Sequence, residues 1–393
     1  MLHTLALLFA CRPPVAAVVL PVAEPIGPSR LSLPAGADAS TPVFFSAASG
    51  ELLMSWQEPG RVLFSRRSGG QWSAPSVIAE GEALMSNWAD FPSVVAGDDG
   101  LIAHWLQQQG DSPYAYGVQL ARSTDDGQTW TPLGTPHDDS PTEHGFASLL
   151  PVGDHVRLFW LDGRGMMEEG PMTLRTATIT DGVIGEQEIL DERVCDCCGT
   201  SAALIDGLPA ILYRDRSLDE QRDIGLVQLG DGAWEAPVVV ADDGWIIPGC
   251  PVNGPALAAA STQPVAAWFT AARQSPQVRV SFARDVPRIV AAGESVLGRV
   301  DLLLEDDDTV LVSWMASTSE DTADILIRRV HRDGRMGEPL ILGHTAASRA
   351  SGFPQLAWHD DELVAAWTVP GEPAVIEAVT LETGAIPPLS NAD

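Results

Sequence analysis

The chain has 393 residues, 45% of them hydrophobic, so it is long enough for a large core and too apolar for a disordered segment. It has no lysine, and its Arg residues stand against 53 Asp and Glu for a net charge of −30. A surface this acidic repels phosphate backbones and anionic membranes, which excludes nucleic-acid binding.

At the start of the chain, the run Leu5 to Ala10 is too short to span a bilayer and reads as the apolar core of an export signal. Leu8-Phe9-Ala10-Cys11 also reads as a lipobox, in which Cys11 becomes a lipidated first residue, although Phe9 is large for its position and no Lys or Arg precedes the run. Residues 1–23 are therefore assigned to an export or lipoprotein signal region and 24–393 to a single folded domain. The expected location is the periplasm or cell surface. Without Cys11 four cysteines remain, an even number that suits an oxidising compartment.

From residue 41 onward one pattern recurs: a small or Gly/Pro-rich entry, an apolar strand, a turn, and a second strand closing on an aromatic. The copies span 41–56, 90–105, 144–160, 199–213, 253–268, 298–314 and 352–367. They end on Trp56, Trp105, Trp160, Tyr213, Trp268, Trp314 and Trp367, with a period of roughly 50 residues. Each copy is followed by two more strand-like runs around a polar turn, as in V-L-F-S-R-R-S-G-G-Q-W-S-A-P-S-V-I-A. Runs such as Val310 to Trp314 are apolar on both faces, as strands sandwiched between sheets must be. No segment keeps a helical period over three turns. Four-stranded repeats of this length predict an all-β propeller, with seven blades by count and six as the alternative if a terminal copy is irregular. The segment from Glu24 to Ser40 and the tail from Asn391 are expected to flank the ring closure.

Between the second and third copies, Ser123 to Trp130 reads S-T-D-D-G-Q-T-W. Asp125 can accept backbone hydrogen bonds across this turn, Gly127 permits a positive φ, and Trp130 folds back over the hairpin. The string matches the Asp box, S-x-D-x-G-x-T-W, including Ser123, Asp125, Gly127, Thr129 and Trp130. With the blade repeats, it resembles the sialidase-like (bacterial neuraminidase repeat) propellers. The resemblance is strongest to a bacterial subgroup carrying segments that stand here as E-H-G-F-A-S, C-D-C-C, Y-R-D-R, R-D-I and G-C-P-V-N-G-P-A. It implies the propeller fold and a purely structural Asp box, and it transfers no assigned chemistry. Sialidases of this family also carry an Arg-Ile-Pro motif and a late Tyr nucleophile. Here no Arg-Ile-Pro occurs, and tyrosine stands only at 114, 116 and 213.

In a propeller, the connector entering each innermost strand and the turn after each second strand lie on one face near the axis, where ligands bind. These connectors carry Trp88 and Asp90; Glu143 and His144; Cys195, Cys197 and Cys198; Cys250 and Asn253; Arg299 and Asp301; and Arg349. The second-strand turns carry Asp162 and Arg164, then Arg214, Asp215 and Arg216. Cys195, Cys197, Cys198 and Cys250 enter neighbouring blades, and three readings of them stand open. They form blade-stapling disulfides, a metal site for copper or zinc with His144 as a further ligand, or a reactive thiol. Met166, Met167 and Met172 are possible thioether ligands for copper(I). His144 is equally readable as a hydrogen-bonded structural residue. Arg164, Arg214, Arg216, Arg299 and Arg349, with Asn253, are candidates for binding a small anionic or carbohydrate ligand, or else for ion pairs between blades. Asp90, Asp162 and Glu143 are the candidate acid and base for glycoside chemistry. The functional expectation is an exported propeller binding a small ligand or metal at the axial connector face. An exo-sialidase or other glycoside hydrolase, and a protein-interaction scaffold, are the alternatives; whether the chain is an enzyme stays open.

Overall fold

The structure is a computed structural model that describes residues 27–390 except 99, 261 and 262. The signal region at 1–23, with Cys11, and the tail from Asn391 lie outside the described residues.

The described residues form seven antiparallel sheets, each with its innermost strand paired to the next strand in sequence. The innermost strands are Ser40–Ser46, Ser93–Gly97, His144–Val152, Ser201–Ile205, Ala256–Ala260, Val296–Leu304 and Gln355–His359. Each packs against the innermost strands of the preceding and following sheets, and the last packs against the first, so the sheets close into a seven-bladed β-propeller. The six-bladed alternative falls away because every repeat builds its own sheet. The ring is closed by the N-terminal segment: Ser29–Arg30 pairs with Val375–Glu382 as the outer strand of the last blade.

The core lies between blades rather than at the axis. The closing aromatics of all seven repeats are buried on second strands. Several satisfy their polar atom on a carboxylate: the indole N–H of Trp160 donates to Asp162 at 2.8 Å, that of Trp268 to Asp243 at 2.7 Å, and the Tyr213 hydroxyl to Asp191. A ring that is flat and apolar on both faces, with one polar handle, suits a slot between two sheets.

The hairpin at 123–130 ties the second blade to the first. Asp125 Oδ1 accepts from the Thr129 N–H at 2.9 Å, and Ser123 Oγ accepts from the Gly127 N–H at 2.8 Å. Gly127 has φ +82°, and a Cβ there would lie 2.0 Å from Phe64 of the first blade. Phe64 in turn meets Trp130 edge-on at 5.6 Å.

Side-chain hydrogen bonds near the axis link every consecutive pair of blades. Ser55 Oγ donates to Pro92 O at 2.9 Å, Asp90 Oδ2 accepts from the Phe146 N–H at 2.5 Å, and the Ser148 hydroxyl bonds that of Thr200 at 2.7 Å. Ser201 Oγ accepts from the Leu257 N–H at 3.0 Å, Asn253 Oδ1 from that of Arg299 at 2.7 Å, and Asp301 Oδ2 from that of Leu356 at 2.7 Å. The Thr41 N–H donates to Thr368 Oγ1 at 3.0 Å and closes the circle. Phe146, Arg299 and Thr41 all have positive φ, between +51° and +56°, at bulges entering their strands. A bulge withdraws its backbone N–H from the ladder, and the preceding blade supplies the missing acceptor.

Burial pushes both Asp90 and Asp301 up to about 7. A carboxyl raised in the folded state stabilises the fold fully below its unfolded value near 3.8, and that stability is lost as pH rises toward 7. For Asp90 the span corresponds to at most about 4 kcal/mol. Asp90→Asn keeps an acceptor for Phe146 and removes the charge. Denaturant unfolding from pH 4.5 to 8 is expected to show a flatter stability profile for the variant, and a variant more stable than wild type at pH 8.

Candidate functional site

Two polar regions are built by the connectors. The first is the axial cavity of about 280 Å³, lined by innermost strands from all seven blades and including Asp90, His104, Thr200, Asp301 and Phe353. Beside it, Trp88 stacks on Phe353 at 6.0 Å and lies beneath the guanidinium groups of Arg299 (5.2 Å) and Arg349 (5.8 Å).

The second region is the cysteine cluster. The chain reaches it from the third blade, where the Val194 N–H donates to Met172 O and the Cys195 N–H to Arg214 O, each at 3.0 Å. A turn at Asp196-Cys197 then folds the three thiols together. The sulfurs of Cys195 and Cys198 are 3.3 Å apart, and those of Cys195 and Cys197 are 3.7 Å apart. All three Sγ atoms lie within 4.8 Å of one another. The connector of the fifth blade completes the group. Gly254 passes so close to Gly199 that a Cβ there would lie 2.4 Å from the Gly199 carbonyl oxygen. That approach holds Cys250 beside Cys197, with Cys197, Cys250 and an Asp196 oxygen also mutually within 4.8 Å. Cys195 and Cys198 are each 1% exposed, Cys197 is half-buried, and Cys250 is exposed.

The Cys195, Cys197 and Cys198 sulfurs stand at non-bonded separations. Hydrogen bonds from Cys197 and Cys198, reinforced by the charge of Arg214, hold the Cys195 thiol well below its ordinary range. The same bonds push Cys197 up, burial pushes Cys198 up, and a hydrogen bond from Cys197 lowers Cys250. Arg222 Nη1 donates to the Cys195 sulfur at 3.2 Å. Arg222 also binds Asp196 Oδ1 at 3.2 Å and Glu220 at 2.8 Å. Sequence reasoning missed Arg222 and Asp196 as partners of the thiols. Their only signals were the R-D-I segment and the residue inside C-D-C-C, neither of which says which way a side chain turns.

The structure separates residues that the sequence had grouped. His144 is not among the donors that converge with the cysteines. Its ring stacks on His137 at 4.0 Å, its Nε2 meets the Ser140 hydroxyl at 3.1 Å, and its Nδ1 faces Asp162 at 3.5 Å. Met172 is buried in the core between the third and fourth blades, Met166 packs on the same core, and Met167 is exposed.

The five arginines do not form one anion pocket. Arg164 grips Asp162 through two bonds of 2.7 and 2.6 Å, and Arg216 binds Glu220 at 2.8 Å. Arg214, 2% exposed, donates to the carbonyl oxygens of Asn253, Arg222 and Phe269 at 2.7–3.1 Å and lies over Trp245. Arg299 donates to the carbonyls of Ser348 and Gly352 at 2.9 and 3.1 Å. Asn253 is turned onto the Arg299 backbone. Arg349 is exposed on the Trp88 ring.

The three candidate acids also differ in station. Asp162 sits among Arg164, His144 and Trp160; despite its burial, those bonds hold it far below the usual carboxylate range. Asp90 braces Phe146 and lines the axial cavity. Glu143 accepts from the Tyr116 hydroxyl and is pushed up to about 7, chiefly by burial, with Asp196 and Cys195 adding repulsion. The Tyr116–Glu143 pair was not foreseen, since only a late tyrosine had been sought. Burial and the neighbouring carboxylates raise the Tyr116 phenol well above its ordinary value.

No family model and no curated protein matches the chain. Among solved structures it is similar to an ulvan lyase, a polysaccharide lyase, at 14% identity and TM-score 0.57, with 92% of this chain and 100% of the other covered. A protein of unknown function from Dyadobacter fermentans matches at 14% identity and TM-score 0.54 over the same shares. A variant of the NanB sialidase from Streptococcus pneumoniae matches at 11% identity and TM-score 0.44, covering 95% of this chain and 72% of that one. At these identities the likeness is one of fold. The chain is a seven-bladed propeller similar in fold to that ulvan lyase, and its connectors gather a cluster of cysteines.

The arginine assignments are separable by mutation. Arg214→Ala orphans buried carbonyl groups and is expected to cost at least about 3 kcal/mol in denaturant unfolding. Arg349→Ala, at an exposed position, is expected to stay within about 0.5 kcal/mol of wild type in the same measurement.

Proposed function

We propose that the protein is a metal-binding propeller whose connector face holds a soft or borderline ion, copper(I) or zinc, on the thiolates of the C-D-C-C segment. The observation that carries this reading is the convergence of Cys195, Cys197 and Cys198, with sulfurs 3.3 and 3.7 Å apart. Two sulfurs bound to one tetrahedral zinc at about 2.3 Å each stand about 3.8 Å from one another. Bonded sulfurs stand about 2 Å apart.

The surroundings fit such an ion. Arg222 donates to the Cys195 sulfur and orients it, as a second layer of hydrogen bonds does around metal ligands. The dry inner side, made by Cys195 and Cys198, slows loss of the ion, and the exposed Cys250 side leaves a path for its entry. A thiolate-bound ion would supply Lewis-acid chemistry as zinc or electron-transfer chemistry as copper at the connector face.

A second reading has its own observation. Cys195 lies nearest Cys198 while Cys197 lies beside Cys250, a pairing that two disulfides would adopt after small shifts. Of the two, the Cys197–Cys250 bridge would staple the connectors of the fourth and fifth blades.

One experiment separates the two. The protein is purified anaerobically, and its metal content is measured beside intact-mass counting of alkylatable thiols. Near-stoichiometric copper or zinc with free thiols is the expected result. No metal, with all four thiols blocked until reduction, supports the staple and overturns the metal site. Cys197→Ala is expected to lower bound metal at least tenfold.

A further inference from the structure

The cluster contains more ligands than one ion needs. Cys195, Cys197 and Cys198 make one set of mutually close donors; Asp196, Cys197 and Cys250 make another, and Cys197 belongs to both. Resting on the metal-site reading above, we infer that the site holds two ions, the inner on Cys195, Cys197 and Cys198 and the outer on Asp196, Cys197 and Cys250, with the Cys197 sulfur bridging them.

Geometry supports the bridge. Cys250 is outside the inner set, so a single ion on Cys195, Cys197 and Cys198 leaves it and Asp196 as a separate pair beside Cys197. Neither is free to drift off. The Cys250 connector is pinned by the contact of Gly254 with Gly199, and Asp196 is held by Arg222 at 3.2 Å and Arg216 at 3.7 Å.

Charge points the same way. With every donor ionised, four thiolates and one carboxylate bring five negative charges, and a single divalent ion leaves three of them to the arginines unless Cys250 keeps its proton. Arg216 and Arg222 are already engaged by Glu220 at 2.8 Å. Two divalent ions leave one. Uncompensated charge is expensive where the inner half of the site is dry. Each cysteine releases its thiol proton to solvent as it binds, and no electron transfer is involved.

The two positions differ in chemistry. The inner set is all sulfur and suits a soft or borderline ion. The outer set of two sulfurs and a carboxylate oxygen favours zinc over copper(I), because a carboxylate is a hard donor. The exposure of Cys250 makes the outer ion the exchangeable one.

The test uses zinc alone as probe. The full chain is reduced, stripped by a chelator, and titrated anaerobically with Zn(II) in competition with a chromophoric zinc chelator; bound zinc is then measured after desalting. Wild type is expected to bind two equivalents, the second at least tenfold more weakly. Cys250→Ser, a change at an exposed side chain, is expected to bind one, with its affinity within threefold of the first wild-type step. Saturation of wild type at one equivalent overturns the second position and leaves the single-ion reading standing, provided that Cys197→Ala loses it. Two equivalents retained in Cys250→Ser also overturn it. A wild type that takes up no zinc removes both zinc positions, and the metal content of the anaerobically purified protein then decides the single-ion reading separately.

Discussion

The structure depends on a circle of side-chain hydrogen bonds in which each blade satisfies backbone or hydroxyl groups of the next. Strand ladders hold a blade together, but they say nothing about where its neighbour sits. The braces do. At the bulges of Phe146, Arg299 and Thr41 the chain leaves the ladder, and Asp90, Asn253 and Thr368 supply the acceptors. Each bond contributes about 1 kcal/mol, yet losing one acceptor strands a buried N–H at a cost of about 1–3 kcal/mol. The circle thus acts more strongly on blade register than its summed energy suggests. Two of its members are carboxyls that burial brings to about 7, so the axis is one place where neutral pH works against the fold.

The cysteine cluster is a product of the same register. It is assembled from two connectors that belong to different blades and meet only because the fourth and fifth blades pack at a fixed distance. Gly254 records how fixed: any side chain at that position would strike the Gly199 carbonyl. The buried arginines serve the connectors in a related way. Irregular segments near the axis expose carbonyl oxygens that no ladder satisfies, and Arg214 and Arg299 collect them. In a chain without lysine, guanidinium groups are the strong donors available for this work.

The fold was legible because its signal is repeated: seven aromatic-ended strand pairs at one period leave few architectures to choose from. The thiols were legible as a group because connector order alone places Cys250 near C-D-C-C. What sequence order does not carry is the facing of a side chain within a connector. His144 follows Glu143 directly, yet it turns toward His137 and Asp162 while Glu143 turns toward Tyr116. The arginines kept two readings, ligand cluster or ion pairs, for a related reason. A guanidinium that grips a ligand and one that grips carbonyl oxygens look the same in a sequence, and only burial and partners distinguish Arg214 from Arg349. Asp90 and Asn253 read as site residues because braces and binding groups occupy the same connectors.

The closing strand has a consequence for how the ring comes into being. Ser29–Arg30 finds its partner only in Val375–Glu382, at the other end of the described chain. During synthesis from the N-terminus, the first blade must fold with Thr41 lacking its Thr368 acceptor and with its exposed flank uncovered until the last blade emerges. The earlier blades can stack in order as they appear, each on the one before. The final step is different in kind, because a contact between distant segments must convert an open arc into a circle, and such closures are the slow, aggregation-exposed part of β-rich folding. A polar, strongly acidic surface is well suited to that interval, since like-charged arcs repel one another while they wait to close.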